Sequence, residues 1–588
     1  MRKVWRVLPL VATGVVALVV AGCGGGGGGG GGVVNTSTTG KKGGSITVLN
    51  VAGGVDSLDP GYWYYQEDYA EIGLTTQRWL YSWAPNTTTP TPDLANGMPQ
   101  LSNGGKTVTI KIKSGIKYSP PLQNRQVTSA DVKYAMSRAF TARVGNGYAA
   151  AYWADIKGVA PVAAGKAKLV SGIQTPDPHT LVLQLTKPVG VIANAQSLAL
   201  PATAAVPESY AAKYDKGATS TYGQHQVFTG PYMIQNDGKG NVTGYSPSKK
   251  LVIVRNPSWN KSNDFRRAYL DKVTFLCCSD VTVASRKTLT GTSLASGDYA
   301  APPTAVLKSA LTSRKKQVSN SPSQGLRFIA FNTKVKPFEN INVRRAIAAV
   351  TDRNALRLTR GGPAIGIVAT HILPPGIPGF KEAGGTASSF DFYKNPNGNL
   401  QLAMQYMKKA GYPSGKYTGG RVLMVGDNTP PASKTGEAFQ SQIQKLGFKV
   451  NYRQVPHATM LSKFCGVPKA AVAICPNLGW GKDFYDPQSF LDPIFNGKNI
   501  AQTNNSNYAQ LNDPAINAQL DKDTSITDEA QRAKAYGQLD KTITSGAYVI
   551  PWLWDNQVRF ASTNVKGVVN EFNSAWDIPF TSLKGGSS

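Results

Sequence analysis

The sequence predicts an α/β protein built as several lobes, with mixed sheets flanked by helices. Three observations carry that reading. Phe328 to Phe331 is an apolar run suited to a buried strand, and Asn332, Thr333 and Pro337 end it. Val343, Ala346, Ile347 and Val350 then fall at i, i+3, i+4 and i+7, one apolar helix face, with Arg344, Arg345 and Asp352 on other faces. Finally, a chain of 588 residues, 41 % hydrophobic and 16 % charged, is globular and long enough for two to four lobes.

From the start of the chain, Arg2, Lys3 and Arg6 form a basic leader, Leu8 to Val20 an apolar core, and Val20-Ala21-Gly22-Cys23 a small-residue ending. Residues 1–22 thus read as a signal peptide, its apolar run too short to span a bilayer comfortably. Gly24 to Gly32 is unbroken polyglycine, and polar residues continue it to Gly44. Nothing in it can build a core, so residues 23–44 are expected to be a flexible tether spanning roughly 25 Å. The net charge of +29 suggests an anionic partner. With its basic residues scattered and no finger-like Cys/His spacing, an anionic cell envelope suits it and nucleic acid does not.

The folded part is expected to begin at Ser45, where Ile46 and Val48 alternate with polar neighbours. An Asp59-Pro60 turn leads to four consecutive aromatics, Tyr62, Trp63, Tyr64 and Tyr65, which either line a pocket or cap a core. Residues 85–195 read as a separate mixed lobe. Val108, Ile110 and Ile112 alternate as one strand and Leu181, Leu183 and Leu185 as another. Thr128 to Asp131 makes a capping box before a helix striped by Val132, Ala135, Met136 and Ala139. Strands return over 196–320, including 251–254 and 273–276.

Adjacent Cys277 and Cys278 are too close for a bond to be assumed and are expected as buried or free thiols. Cys465 and Cys475, ten apart in an exported chain, are expected to form a disulfide; no CxxC spacing suggests zinc. Over 321–555, Leu400, Ala403, Met404, Met407 and Ala410 stripe a helix, Phe439, Ile443 and Leu446 another, and Phe448, Val450 and Tyr452 alternate as a strand. This alternation predicts a mostly parallel sheet with covered faces.

The segment Phe331 to Arg353, FNTxxxPFxNxxVRRAIxxxxDR, resembles the signature of the family 5 extracellular solute-binding proteins of ABC importers, the oligopeptide and dipeptide receptors among them. Further blocks keep the order of that family: SLDP at 57–60, PDLA at 92–95, VTSADVKYAMSRA at 127–139, TGPYMI at 229–234, VRNPSWN at 254–260, LDKVTF at 270–275 and WGKDFYDPQSF at 480–490. The resemblance implies a two-lobed periplasmic-binding-protein-like fold of type II, in the large class with an extra domain. Lobe I would comprise 45–84, 196–320 and 556–588, the extra lobe II 85–195, free of ligand contact, and lobe III 321–555. It also implies a binding lipoprotein that closes on a peptide or peptide-like solute and delivers it to permease subunits served by cytoplasmic ATPases.

Cys23 resembles the acylated residue of a bacterial lipobox, which would anchor a monomeric chain to the outer face of the cytoplasmic membrane. In peptide-binding members an Asp matching Asp483 pairs with the ligand's α-ammonium group. Trp480 would be a pocket wall or a core anchor, and the loop holding Tyr62, Trp63 and Tyr64 would face the cleft. Asp486 reads as a turn residue before Pro487. No particular Arg presents itself for a peptide carboxylate. Arg345 and Arg353 are expected in ion pairs or solvent, so sugar, opine and metal-chelate ligands stay open. HExxH, GxSxG and P-loop motifs are absent, and His179, His225, His371 and His457 form no close pair. Binding without turnover or cofactor is the expectation. The alternatives are an envelope enzyme with an unmotifed site and a sensing or chaperone lipoprotein without a transporter.

Overall fold

The computed structural model describes residues 38–51, 54–55, 57–63, 68–297 and 300–585. The leader, Cys23, most of the tether and Tyr64 lie outside the described residues. Thr38 and Gly43 lie against the body, where the Tyr269 hydroxyl donates to Thr38 O (3.0 Å) and the Gly43 N–H to Tyr269 O (2.8 Å).

Strand β1 (Ser45–Leu49) opens a sheet that the chain soon leaves. Past a short pairing of Tyr81–Ser82 with Thr91–Pro92, β2 (Gln100–Ser102), β3 (Thr107–Lys111), β4 (Ile173–Asp177) and β5 (Thr180–Gln184) form an antiparallel sheet in the order β2-β3-β5-β4. Helix α1 (Ser129–Arg138) packs on β4 and β5 and carries the capping box, Thr128 N–H donating to Asp131 Oδ2 at 3.0 Å. Its last residue, Arg138, is buried between Asp59 Oδ1 (2.7 Å) and Asp215 Oδ1 (2.7 Å). The Asp59-Pro60 turn is thereby fastened to the second sheet.

The chain rejoins β1 through β6 (Tyr232–Ile234), β7 (Lys250–Arg255), β8 (Lys272–Leu276) and β9 (Leu294–Ser296), giving the order β9-β1-β8-β7-β6. Just beyond β8 the structure joins Cys277 to Cys278, where buried or free thiols were expected. The expectation rested on the closeness of adjacent residues, whereas Cys278 adopts φ +70°, a left-handed conformation uncommon for a non-glycine residue.

The third region runs through β10 (Val318–Phe331), α2 (Ile341–Val350), α3 (Arg353–Arg360), β11 (Gly366–Ile367), α4 (Leu400–Lys409), β12 (Val422–Asp427), α5 (Ala432–Gln444), β13 (Val450–Val455), β14 (Ile474–Trp480), α6 (Glu529–Ser545) and β15 (Val549–Phe560). Its sheet has the order β11-β15-β10-β14-β12-β13. Only β12 with β13 and β12 with β14 run parallel, while β10 with β14, β10 with β15 and β11 with β15 are antiparallel. The expected mostly parallel sheet is therefore corrected to a mixed one. Parallel pairing follows from crossover units such as β12-α5-β13, but β10 and β15 meet from opposite ends of the region.

Val343, Ala346, Ile347 and Val350 are all buried, and α2 packs against α4. The arginines of this signature depart from expectation. Arg344 donates to Gly546 O (3.0 Å) and Phe338 O (2.7 Å), Arg345 to Ser545 O (2.9 Å), and Arg353 to Ala369 O (2.6 Å). They satisfy orphaned main-chain carbonyls rather than carboxylates, a use that five N–H donors on a planar group allow.

Strands β10 and β15 pair from Val318 opposite Phe560 to Ala330 opposite Val549. Their outer ends reach the first sheet, where Ala295 bridges Ala561 and Ser562 N–H donates to Leu294 O (2.8 Å). The boundaries expected at 320/321 and 555/556 thus fall inside two long strands that run from one sheet to the other. Cys465 and Cys475 are joined, tying the helical turn Met460–Cys465 to β14. Replacing both with Ser is expected to lower stability by about 2–3 kcal/mol, read as a lower urea midpoint.

Candidate functional site

A cavity of about 210 Å³ opens where β14 ends beside the middles of β10 and β15, against the segments holding His457, Tyr508 and Asn573. Its walls include Gly325, Gly479 and Gly481. A Cβ on Gly325 would lie 2.6 Å from Asp555 Oδ1, and one on Gly479 would lie 2.5 Å from Arg327 Nη1, so glycine at both positions makes room for the charged side chains between them. Arg327 Nε donates to Asp555 Oδ2 at 2.7 Å, and the Ser323 hydroxyl donates to Asp555 Oδ1 at 2.8 Å. His457 Nδ1 lies 2.7 Å from Asp427 Oδ1 at the end of β12.

Trp480 closes β14 opposite Leu326 and forms part of the cavity wall. Its indole N–H donates to Ser489 O (2.8 Å), which fixes the ring's orientation. Three residues on, Asp483 is only 8 % exposed. Its Oδ2 accepts a hydrogen bond from the Tyr152 hydroxyl at 2.5 Å, while the Tyr152 ring meets Phe484 edge-on at 4.8 Å. Among the described residues no Lys, Arg or His pairs with Asp483, and burial pushes its pKa up to about 7 despite the hydrogen bond. Neighbouring Lys482 is buried as well. It donates to Gln324 Oε1 (2.7 Å) and Ser323 O (3.0 Å), stands over the Tyr485 and Phe572 rings, and is pushed down to about 7 by burial.

The loop between β14 and the following helix is held from below. Asp486 accepts from Gln488 N–H (2.8 Å), the turn role expected of it, and also takes both Arg532 Nε (2.6 Å) and Arg532 Nη2 (2.8 Å) from α6. It is therefore an ion-pair anchor as well as a turn residue.

Of the aromatic row, Trp63 is fully buried away from this cavity, its indole N–H donating to Ser57 O (2.9 Å) and its ring packed by Gly73. Tyr62 stands half-buried beside Gly145. The structure thus brings Trp480 to the cavity, Asp483 to the adjoining loop, and neither Tyr62 nor Trp63 to it. Sequence reasoning missed Tyr152, which comes from the segment expected to stand clear of the ligand, and the Arg327–Asp555 pair. No motif marks any of the three.

The sequence profile described as "Bacterial extracellular solute-binding proteins, family 5 Middle" matches residues 89–502. The chain belongs to this family. Family 5 proteins are the substrate-binding components of ABC importers. "Heme-binding protein A" of Haemophilus influenzae is 25 % identical over 480 residues, 80 % of each chain. "Oligopeptide-binding protein OppA" of Bacillus subtilis is 24 % identical over 582 residues, 97 % of each chain. Among solved structures, "Clavulanic acid biosynthesis oligopeptide binding protein 2" superposes with a TM-score of 0.80 at 26 % identity, covering 94 % of this chain and 98 % of its own. The family fold and the mixed sheets with flanking helices agree. No helix among the described residues is long and apolar enough to cross a membrane.

Proposed function

We propose that this family 5 protein is a lipid-anchored receptor that captures a peptide-like solute by its amino group, between Trp480 and Asp483, and passes it chemically unchanged to a permease. One observation carries the reading: Asp483 is a carboxyl group out of water that has a hydrogen bond but, among the described residues, no cation. Such a group gains far more from an ammonium partner than an exposed carboxylate does, because the surrounding dielectric is low. An α-ammonium group supplies the charge and three donors. Cys23 is the acylation point and the tether that follows it is a leash ending where Thr38 and Gly43 meet Tyr269, with lobe I, lobe II and lobe III as divided above. The β10/β15 pair is the hinge on which lobes I and III close.

Native mass spectrometry of the purified chain tests the reading. Retention of an intact amine-bearing molecule supports it. Steady conversion of a defined peptide mixture into shorter products would establish an enzyme instead.

A further inference from the structure

The described chain enters the fold along one small face. The Tyr269 hydroxyl donates to Thr38 O (3.0 Å), and Gly40 lies so close to Tyr269 and Ser582 that a Cβ on it would stand 3.2 Å from the Tyr269 ring. Gly44 N–H donates to Asp271 Oδ2 (2.9 Å), and Asp271 N–H donates to Gly44 O (2.8 Å). Three stretches far apart in sequence therefore meet there: residues 38–44, the turn before β8, and a closing pair of short strands, Val565–Lys566 with Ser582–Leu583.

Each stretch brings exposed lysine to this face. Lys41 and Lys42 stand between the fastened residues 40 and 43, and Lys272 opens β8 opposite Ser45. Lys566 pairs across from Ser582, and Lys584 follows two residues later. Asp271, the carboxylate beside them, is taken by Arg255 Nε (3.0 Å) and by Gly44 N–H. Among the described residues none of the five lysines has a carboxylate in ion-pair reach, so their charges add instead of cancelling.

We infer that this face is a docking surface for the anionic headgroups of the membrane that holds the chain. The inference rests on the reading that Cys23 is acylated, and it assigns which side of the body meets the bilayer. Thr38 is the fifteenth residue after Cys23, so this face stays within about 50 Å of the acyl group even with the chain between them fully drawn out. The field of an anionic bilayer reaches about 8–10 Å, and each basic residue inside it strengthens attachment about fivefold. Weak headgroup contacts suffice, because a tethered body meets the surface at about millimolar effective concentration. An acyl group with a basic cluster beside it supplies the two signals that stable attachment takes. Lysine suits a fluid headgroup layer, since its ammonium is a point charge that demands no fixed geometry of its partner.

Acetylation by an uncharged reagent, read lysine by lysine by mass spectrometry, tests the inference on the full chain held in vesicles. One set is phosphatidylcholine alone, and the other contains about one third phosphatidylglycerol. Lys41, Lys42, Lys272, Lys566 and Lys584 are expected to react at least about fivefold more slowly on the anionic set and to recover in about 0.5 M salt. Lys166 and Lys216, exposed on the lobe of α1, are expected to keep their rates. Equal rates for the five on both sets overturn the inference. So does an equal slowing of every exposed lysine, which would be adhesion of a chain of net charge +29 with no chosen face.

The mass of the peptide holding Cys23 reports on the anchor separately. If that peptide carries no lipid, the anchoring reading fails, and protection of the same five lysines, or its absence, in the chain mixed with anionic vesicles still decides the face.

Discussion

Asp483→Asn is expected to cut affinity for a free-amine peptide by at least about 30-fold, equivalent to about 2–5 kcal/mol, while leaving the empty protein folded. Asn preserves the shape and still accepts the Tyr152 hydrogen bond, so the loss isolates the charge. The same variant should flatten a pH dependence. A carboxyl whose folded pKa is raised, here to about 7, holds its proton more tightly in the folded chain than in the unfolded one. Its contribution therefore favours folding at low pH and is lost as pH climbs from about 4 to about 7, by up to about 4 kcal/mol.

Asp577, buried and likewise pushed up to about 7, adds the same slope to both proteins. The difference between the two urea-unfolding series, not either series alone, reports Asp483. Ligand binding runs the other way. An ammonium group needs the ionised carboxylate, so calorimetric affinity in the unaltered protein should rise with pH until about 7 and then level. An affinity independent of both pH and the substitution would remove Asp483 from the site.

Arg532→Ala is expected to destabilise the protein by about 3–5 kcal/mol. Arg532 is 1 % exposed and spends its donors on Asp486, Gln488 and Asp523 O (2.9 Å), with its guanidinium 4.8 Å from the Tyr536 ring centre. Removing it leaves Asp486 buried and charged with nothing opposite, and frees the loop that positions Asp483. Denaturant midpoints should fall accordingly, and solute affinity with them. Pairing Arg532→Ala with Asp486→Asn provides the control: if the two groups act on one another, the double variant loses less than the sum of the singles. Strict additivity would assign the loss to packing rather than to the ion pair.

How much of this was readable in advance depended on whether the relevant residues are neighbours in sequence. The α2 stripe and the Thr128–Asp131 cap are set within a few residues, and both stand as the spacing predicts. The Trp480-Gly-Lys-Asp483 loop could be singled out because it is one continuous run. Strand direction was not legible: alternating strand and helix says how β12 meets β13, but nothing in either segment says that β10 and β15 will find each other. The cavity gathers Arg327, His457, Asp555 and Asn573, and Tyr152 reaches Asp483 from 331 residues away in the chain, so no single window contains the site. Of the pocket and core alternatives for the aromatic row, Trp63 took the core, since it has more apolar surface to hide than a turn can shelter. The arginines misled because charge suggests carboxylates, while helix ends and loops offered carbonyls.

The paired strands β10 and β15 also set how the two sheets they join can move. Before Leu326, where β14 does not pair with β10, the two strands run on as a narrow ribbon, which yields more readily across its plane than within it. Two bodies joined by it would swing along one arc rather than wander, so a solute of the wrong length would meet its second contact at the wrong angle. Selection by size would then be written into the joint before any side chain touches the cargo.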